Sequence, residues 1–501
     1  MKHLVYHNEM KRLSPLLLLL AALSALPYPA VGEEKPPPFR LSISTEPLSL
    51  DPSQQKGSGT MYLTNALHWP LFLSDIKTPF KPGVLNSCRW KNKKELSCTL
   101  TKNIKWSNGQ PIVAGDIKKT FDYFMDPKTQ TQRKDLVYNI RSIKTPSPQS
   151  VHFELINEEP RFQERLTSPL LAPLYSLNIP KPEAGETLVT SGPYTIDKWE
   201  LKHKVVLRPN AHFAGHPARP FVEFYFIAED TTALTLYQSG KLDFIRRLPT
   251  AFLKAYQNTP DLFLAPITRF DYLGFGPSLS KEPELRKILS RSLNYEEWKT
   301  ILSARGRPGC FGISLDLIKG DPCIPFEEKQ IFLWKEQLKQ KVLPKLEIYY
   351  STLGGEDHKR SVEWLQSEWK KRLGIAVSVQ GIENSLFQKQ ILEDPPSMFR
   401  YGVPLDHLSC SNALKQLNRN PNRPLPFKNE SFLRIVTQLA NQNPKQSEEA
   451  LCTKALQTLI DESWLIPLGR IHFSLLAKPQ WKGWQLTALN ILDLSQLHHE
   501  K

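Results

Sequence analysis

The strongest constraint on the fold is a stretch in which a strand pattern, a helix pattern and a second strand pattern follow one another. Residues 221–228 predict a strand, residues 230–239 a helix, and residues 241–245 a turn into a second strand. Gly240 ends the helix, because glycine takes the left-handed backbone angles of a C-terminal cap without steric penalty. This alternation is typical of an α/β lobe.

A second ordered stretch, WSNGQPIVAGDIKKTFDYF at residues 106–124, predicts the end of a strand, a turn and a helix. Residues 107–109 tolerate left-handed backbone angles, so the chain reverses there. The helix begins near Ala114, and Asp116 lies in its first turn, where the helix dipole favours a negative charge. Its apolar face consists of Ile117, Phe121 and Phe124. The unit contains no nucleophile, metal cluster or phosphate loop, so scaffold is its expected role.

The first 32 residues have the pattern of a cleavable secretory signal peptide. A charged start precedes an apolar run at residues 16–26, and small residues end at Gly32. Met10 is an alternative start, and an uncleaved anchor is the alternative to cleavage, although the run is too short to span a bilayer stably. No cysteine lies near the cleavage region, so lipoprotein anchoring is not expected. The pattern predicts a soluble periplasmic protein.

The length and the charge of the chain restrict its class. Removal of 32 residues from the 501 leaves 469, which is too many for one ordinary core and predicts two or three domains. A formal net charge of +15 invites a nucleic-acid or membrane-surface interpretation. The lysines and arginines are spread along the chain, however, and the densest run, at residues 91–94, is typical of a hairpin tip. A nucleic-acid partner is therefore not expected.

Six cysteines in an exported chain indicate disulfide bonds. Two of them flank the lysine-rich hairpin tip, and two others bracket a loop rich in glycine and proline. The remaining two are either paired or free and buried. Finger spacing of the kind that binds zinc is absent from the sequence. The expected pairs are Cys88–Cys98, Cys310–Cys323 and Cys410–Cys452.

Enzymatic chemistry has little local support in the sequence. His212 and His216 have metal-like spacing, but they lie in a loop rich in proline and glycine, and His407 with Cys410 is an equally weak pair. The glycines at 274 and 276 lack the third glycine and the acidic residue of a dinucleotide loop. A Gly-x-Ser-x-Gly elbow does not occur. The sequence predicts a protein that is not an enzyme, without cofactor or metal.

Several long segments of the chain resemble one known family. KWSNGQPIVAGDIKKTFDYFMDPKT at residues 105–129 is similar to the signature segment of the extracytoplasmic peptide-binding proteins of ABC importers, which include oligopeptide-, dipeptide- and nickel-binding members. STEPLSLDP, SGPYTIDKWELKHKVVLRPNAHFAG and LIPLGRIHFSLLAKPQWKGW resemble the family's first strand, its crossing segment and its closing strand. The resemblance covers roughly residues 40–485.

The resemblance implies an α/β fold of the periplasmic binding protein type. Two Rossmann-like lobes are joined by two crossing strands that act as a hinge, and an extra domain lies in the N-terminal half. A ligand binds between the lobes, and hinge closure buries it. The implied division places residues 33–78, 188–270 and 475–501 in lobe I, residues 79–187 in the extra domain, and residues 271–474 in lobe II.

The resemblance implies the periplasmic receptor of a peptide importer. Such a receptor is a monomer that binds short peptides and delivers them to a membrane permease and its ATPase. One alternative is a receptor of the same fold for a modified peptide or a metal chelate. Another is a peptide-binding chaperone that works without a transporter.

The family holds a peptide by strand pairing, by a carboxylate at its amino terminus and by basic groups at its carboxyl end. The resemblance places Glu46 and Leu48 where the first strand would pair with the peptide, and Tyr272 just past the lobe crossing. His358 lies in a segment similar to a helix start that can face the ligand's acidic end. A surface or structural role is the alternative for each of them.

One segment departs from the family pattern. Members of the family have a Trp-x-x-Asp-Tyr run, and its aspartate pairs with the ammonium group of the peptide. When the positions are counted without gaps from residue 394, this chain has Arg400 at the tryptophan position and Val403 at the aspartate position. Asp406 is the candidate to replace the missing acid. Arg400 is either a site for an anionic group or an ordinary surface charge. Peptides with a free amine are therefore not expected to be the best ligands, because a buried ammonium needs a carboxylate.

Overall fold

The computed structural model describes most of the chain after the predicted signal peptide, and all described elements belong to one compact unit, Pro37–Lys501. The signal peptide prediction and Asp406 lie outside the described residues. Residues described are 36–54, 58–74, 78, 80–129, 134–177, 179, 188–265, 269–301, 309–311, 322–405, 407–418, 430–441, 448–470 and 473–500.

The described strands form three main sheets and three short pairs. They are β1 (Phe39–Ile43), β2 (Phe72–Leu73), β3 (Lys81–Pro82), β4 (Leu85–Asn92), β5 (Glu95–Leu100), β6 (Ile140–Ser147), β7 (Ser150–Leu155), β8 (Tyr194–Glu200), β9 (Lys204–Pro209), β10 (Val222–Phe226), β11 (Phe244–Ile245), β12 (Leu262–Ala265), β13 (Arg269–Phe275), β14 (Glu347–Ser351), β15 (Ser378–Ile382), β16 (Met398–Pro404), β17 (Leu465–Arg470), β18 (Phe473–Ala477), β19 (Trp481–Lys482), β20 (Gln485–Leu486), β21 (Leu492–Asp493) and β22 (His498–His499).

The described helices lie between these strands. They are α1 (Ser58–Leu67), α2 (Ala114–Met125), α3 (Phe162–Arg165), α4 (Asp230–Gln238), α5 (Leu253–Tyr256), α6 (Pro277–Ser280), α7 (Pro283–Arg291), α8 (Tyr295–Ile301), α9 (Ile331–Lys339), α10 (Gly355–Leu373), α11 (Asn384–Glu393), α12 (Cys410–Asn418), α13 (Glu430–Asn441) and α14 (Glu448–Asp461). Short 3₁₀ turns occur at Pro52–Gln54, Lys134–Leu136, Pro169–Leu171, Thr250–Phe252, Glu328–Gln330 and Thr352–Gly354.

The first sheet combines strands from distant parts of the chain in the order β12-β18-β11-β1-β10-β9-β8. Strand β1 pairs in parallel with both β10 and β11, and α4 lies between those two strands in the chain. The predicted strand–helix–strand unit is therefore confirmed. Gly240 follows α4 with a φ of +71°, as its capping position requires. Buried aliphatic and aromatic residues of this sheet form one core with Tyr62 and Leu63 of α1, while Ile245 and Leu476 belong to a second core with α4.

The second sheet has the order β15-β14-β16-β13-β17. Strand β14 pairs in parallel with β15 and β16, whereas β13 pairs antiparallel with β16 and β17. Helix α10 contributes its apolar face to the core of this sheet, because residues at helical spacing are buried there. These residues are Val362, Leu365, Trp369 and Leu373.

The third sheet, in the order β4-β5-β7-β6, lies within the predicted extra domain. Strands β4 and β5 form the predicted hairpin, in which Cys88 stands opposite Cys98. Helix α2 begins at Ala114 as predicted, and Asp126 caps its end. The predicted apolar face is confirmed, because Ile117, Phe121 and Phe124 are buried in the same core as the hairpin.

All three predicted disulfide bonds are present. Their Cα–Cα distances are 4.0 Å for Cys88–Cys98, 4.0 Å for Cys310–Cys323 and 6.2 Å for Cys410–Cys452. The last bond joins α12 to α14. Of the helices in the described part of the chain, none has both the length and the apolar character needed to cross a membrane.

The chain passes twice between the first and the second sheet. Strand β12 ends at Ala265 and β13 begins at Arg269, and β17 ends at Arg470 before β18 begins at Phe473. Strand β12 pairs with β18 in the first sheet, and β13 pairs with β17 in the second. The two crossings are therefore flanked by paired strands in each sheet: β12 and β18 in the first sheet, and β13 and β17 in the second. The exact domain boundaries remain a prediction.

Candidate functional site

Charged residues from the first and the second sheet converge at the start of helix α10. The first sheet contributes the start of α4 and the segment after β11, and the second sheet contributes β13, β16 and the first turn of α10. Hydrogen bonds and electrostatic contacts connect these residues across the two sheets. We call this group the arginine cluster, and its members are Arg246, Arg247, Arg269, Arg400, Asp230, Asp271, Asp357 and His358.

Asp271 is the innermost carboxylate of the arginine cluster, with no exposed surface. Arg269 Nε donates to its Oδ1 at 2.6 Å, and Arg400 Nη2 donates to its Oδ2 at 3.0 Å. Gly402 faces this triad on β16, because a Cβ atom there would lie 2.0 Å from Asp271 Oδ1 and 2.3 Å from Arg269 Nη2. The absence of a side chain at this position leaves room for the ion pairs.

Arg400 is buried, with 3% of its surface exposed, so its interpretation as an ordinary surface charge is wrong. Its Nε donates to Ser361 Oγ at 3.2 Å, while its Nη1 has no hydrogen-bond partner among the described residues. Burial lowers the pKa of Arg400 to about 10, against the opposing effect of Asp271, and Arg269 lowers it further. The side chain remains charged at neutral pH and keeps one unsatisfied donor.

His358 lies in the first turn of α10, but it does not serve as a charged group. Its Nδ1 lies 3.2 Å from the backbone oxygen of Ser351. Burial lowers its pKa well below the ordinary value, and the nearby Arg400 and Arg269 lower it further. The imidazole is therefore neutral at physiological pH, and its predicted position facing the ligand's acidic end stays a prediction.

Arg247 bridges the two sheets. Its Nη1 donates to Gly354 O at 2.5 Å and its Nη2 donates to Leu353 O at 3.2 Å, both just before α10. Its Nε lies 3.2 Å from Oδ2 of Asp230, the first residue of α4. Thr250 adds a second bridge, because its hydroxyl donates to Asp357 Oδ1 at 2.5 Å. These contacts hold the segment after β11 against the start of α10.

The candidates Glu46, Leu48 and Tyr272 lie in different elements of the fold. Strand β1 ends at Ile43, so Glu46 and Leu48 belong to the loop after it. Trp199 Nε1 donates to Glu46 Oε1 at 2.7 Å, so that carboxylate holds the loop in place, whereas Leu48 is 92% exposed. Tyr272 is fully buried in β13. The arginine cluster therefore includes none of these three.

The segment that departs from the family pattern lies on β16. Val403 pairs with Phe270 of β13, and Asp406 lies outside the described residues. Cys410 is in a disulfide bond, which removes it as a partner for His407. His216 stacks on His498, with the ring centroids 4.3 Å apart. Within the described ranges, no group of three or more His, Cys, Asp or Glu side chains is arranged to bind a metal ion.

Six members of the arginine cluster were missed by reasoning from the sequence. Asp271 and Arg269 belong to β13, and their spacing of two places them on the same face of that strand. The pair at residues 246–247 directly follows a predicted strand. Charged residues inside or beside predicted strands were the available signal, since a charge in such a place needs a partner. The missed residues are Arg246, Arg247, Arg269, Asp230, Asp271 and Asp357.

Comparison with known proteins identifies the family. The profile of the bacterial extracellular solute-binding proteins, family 5 Middle, matches residues 80–423, which is more than half of the chain. The chain belongs to this family. Among its relatives, the oligopeptide-binding protein OppA of Bacillus subtilis is 21% identical over 479 residues, with 87% of each chain covered. The periplasmic murein peptide-binding protein MppA of Escherichia coli is 23% identical over 489 residues, with 89% of each chain covered.

Solved structures of this family share the fold. The murein tripeptide-binding protein MppA of Escherichia coli superposes with a TM-score of 0.80 at 21% identity, covering 92% of this chain and 98% of its own. OppA of Haemophilus influenzae, in complex with the peptide RPPGFSPFR, has a TM-score of 0.77 at 19% identity and covers 93% and 100%. The predicted α/β fold of the periplasmic binding protein type is therefore confirmed.

Proposed function

We propose that this member of family 5 is the periplasmic substrate-binding component of a peptide ABC import system. It captures short peptides between the lobes built on the first and second sheets and delivers them to a membrane permease and its ATPase. The observation that carries the proposal is the arginine cluster, whose contacts run between the two sheets. The relatives described as oligopeptide-binding and murein peptide-binding proteins support peptides as the ligand class.

Capture depends on rotation of one lobe against the other about the two crossings. In the open form the peptide enters between the sheets, and in the closed form Arg247 contacts the backbone before α10 and excludes water from the cleft. A micromolar dissociation constant corresponds to about −8 kcal/mol, which permits both capture and release. The receptor acts as a monomer after cleavage of residues 1–32.

The proposed ligand contacts follow from where the candidates lie. Leu48 is exposed in the loop after β1, and the proposal is that an extended peptide pairs with the backbone there. We retain Arg400, Val403 and Asp406 as proposed ligand-binding residues, and of these Arg400 is buried on β16 beside Asp271. Glu46, Tyr272 and His358 support the site without binding the peptide, because each is held by contacts within the protein.

Native mass spectrometry of the mature protein, purified gently from a periplasmic expression host, tests this function. We expect a series of bound masses that dissociate on denaturation into short peptides of several sequences. A chain purified free of ligand should regain such masses from a peptide digest. A single non-peptide species, or a folded protein that ignores the digest, would contradict the proposed function.

A further inference from the structure

The part of the chain built on the third sheet is attached to the first sheet. Ser107 N donates to Thr190 O at 2.9 Å, and Thr190 N donates to Ser107 Oγ at 3.0 Å, just before β8 of the first sheet. Ile179 packs against the cores of both sheets. Rotation about the two crossings therefore carries the third sheet together with the first.

An ion pair connects this part of the chain to helices of the second sheet. Arg161 directly precedes α3, is 7% exposed, and donates through Nη2 to Oε2 of Glu448, the first residue of α14. Ser411 N, in the first turn of α12, donates to Oε1 of the same carboxylate at 3.3 Å. Amides at the start of a helix favour a negative charge. Since α12 and α14 contribute buried residues to the core of the second sheet, the ion pair spans two bodies that rotate against each other.

The Cys410–Cys452 bond supports the acceptor side of this ion pair. Cys452 lies one turn after Glu448 on α14, and Cys410 directly precedes Ser411 on α12. Both cysteines are fully buried in the core of the second sheet. The carboxylate of Glu448 and the amide that donates to it therefore keep their spacing when the second sheet rotates.

Each partner of the ion pair also has a contact within its own body. Arg161 Nη1 lies 3.6 Å from Oε2 of Glu164 on α3, and Glu448 accepts from the amide of Ser411 on α12. A buried ion pair is costly to separate when one of its charges is left without a partner. Because both contacts remain after separation, the pair of Arg161 and Glu448 can form on closure and break on opening.

We propose that Arg161 and Glu448 form a closing contact between the third and the second sheet that stabilises the ligand-bound form and slows ligand release. The inference rests on the proposed function and adds to it two positioning residues outside the arginine cluster. They act on affinity through the fraction of closed protein and not by touching the peptide. Loss of the contact should therefore raise the rate of dissociation and leave the rate of association unchanged.

Binding kinetics of trialanine, tetraalanine and pentaalanine test the inference on wild type, Arg161→Met, Glu448→Gln and the double variant. Each single substitution removes one charge from a charge-assisted hydrogen bond. We expect it to raise the dissociation rate about three- to tenfold, with an association rate within about twofold of wild type. The double variant should match the single variants, because both substitutions remove the same contact. Effects that multiply, or dissociation rates within about twofold of wild type, would overturn the inference.

Glu327→Gln is the matched control for Glu448→Gln. The side chain of Glu327 is 29% exposed, against 22% for Glu448, and it also pairs with an arginine. That partner, Arg291 at 2.5 Å, belongs to α7, which packs in the core of the second sheet, so this pair does not connect two sheets. The control should keep the wild-type dissociation rate. An equal rise in the control and in Glu448→Gln would contradict a closing contact.

Small-angle X-ray scattering separates this inference from the proposed function. If a folded wild-type protein binds none of the three peptides and also ignores a peptide digest, the proposed function fails. The radii of gyration without peptide then decide the inference: a larger radius in Glu448→Gln than in wild type and Glu327→Gln supports the closing contact, and equal radii overturn it. If Arg161→Met does not fold, the comparison of Glu448→Gln with Glu327→Gln still decides.

Discussion

Replacement of Arg247 by alanine should shift the protein towards its open form and weaken ligand binding. The side chain is 12% exposed and donates to Gly354 O and Leu353 O across the two sheets. Hydrogen bonds to a charged group contribute about 1.5–3 kcal/mol each, so two bonds at the lower limit stabilise the closed form by about 3 kcal/mol. This corresponds to about a hundredfold change in the ratio of closed to open protein. The dissociation constant should rise by up to the same factor.

Small-angle X-ray scattering and calorimetry on the same samples measure these two quantities. Wild type and Arg247→Ala are compared with and without a saturating peptide, because scattering reports the fraction closed and calorimetry the affinity. Arg291→Ala is the matched control: it removes an ion pair with Glu327, at 2.5 Å, that does not connect the two sheets. If Arg247→Ala closes as fully as wild type and binds within about threefold of it, Arg247 does not hold the closed form.

Three further predictions concern stability. Gly402→Ala would place Cβ 2.0 Å from a buried carboxylate oxygen and should lower the free energy of unfolding by about 1–3 kcal/mol, whereas Gly115→Ala, with its nearest neighbour at 3.9 Å, should not lower it. Burial lowers the pKa of His68 from 6.5 to about 4, so on acidification the unfolded chain binds a proton at this residue before the folded chain does. The free energy of unfolding should therefore fall by about 3 kcal/mol between pH 7 and pH 4. The fall should be smaller in His68→Gln. Loss of the Cys410–Cys452 bond, which spans 42 residues, should cost about 4 kcal/mol, and loss of the hairpin bond about 3 kcal/mol.

Denaturant unfolding followed by tryptophan fluorescence measures all three predictions. Equal effects of the two alanine substitutions would contradict the close approach inferred at Gly402. A pH dependence that is identical in wild type and His68→Gln would remove His68 as its cause. A larger loss of stability from the hairpin bond than from the longer bond would contradict the chain-entropy estimate.

Local features could be predicted from the sequence, because their determinants lie within a few residues of one another. Helix α2 follows from a turn, a helical spacing of three apolar residues and a stop signal. The hairpin and its Cys88–Cys98 bond follow from alternation around a polar tip. The strand–helix–strand unit around Gly240 is of the same kind. Resemblance then supplied the arrangement of these units in space.

The arginine cluster could not be predicted, because it depends on contacts between distant residues. Arg400 and Asp271 are 129 positions apart, and their ion pair requires the register of β16 against β13. A shift of one residue in that register would turn Arg400 to the opposite face of the sheet. His358 could not be predicted to be neutral, since its pKa depends on burial and on arginines from two other strands and a loop. Composition and spacing show that such charges need partners, but not which distant residues those partners are.

The position of β18 in the first sheet has a consequence for the order of folding. This strand is made near the end of synthesis, yet it lies between β11 and β12, which precede it by about two hundred residues. A chain that emerges from its amino terminus can complete the third sheet while the first still has two open strand edges and the second still lacks β17. Such edges bind other strands and attract proteases. Loss of only the last thirty or so residues should therefore cost β18 and leave β12 without its neighbour, so that late nonsense mutations yield degraded rather than partly active receptor.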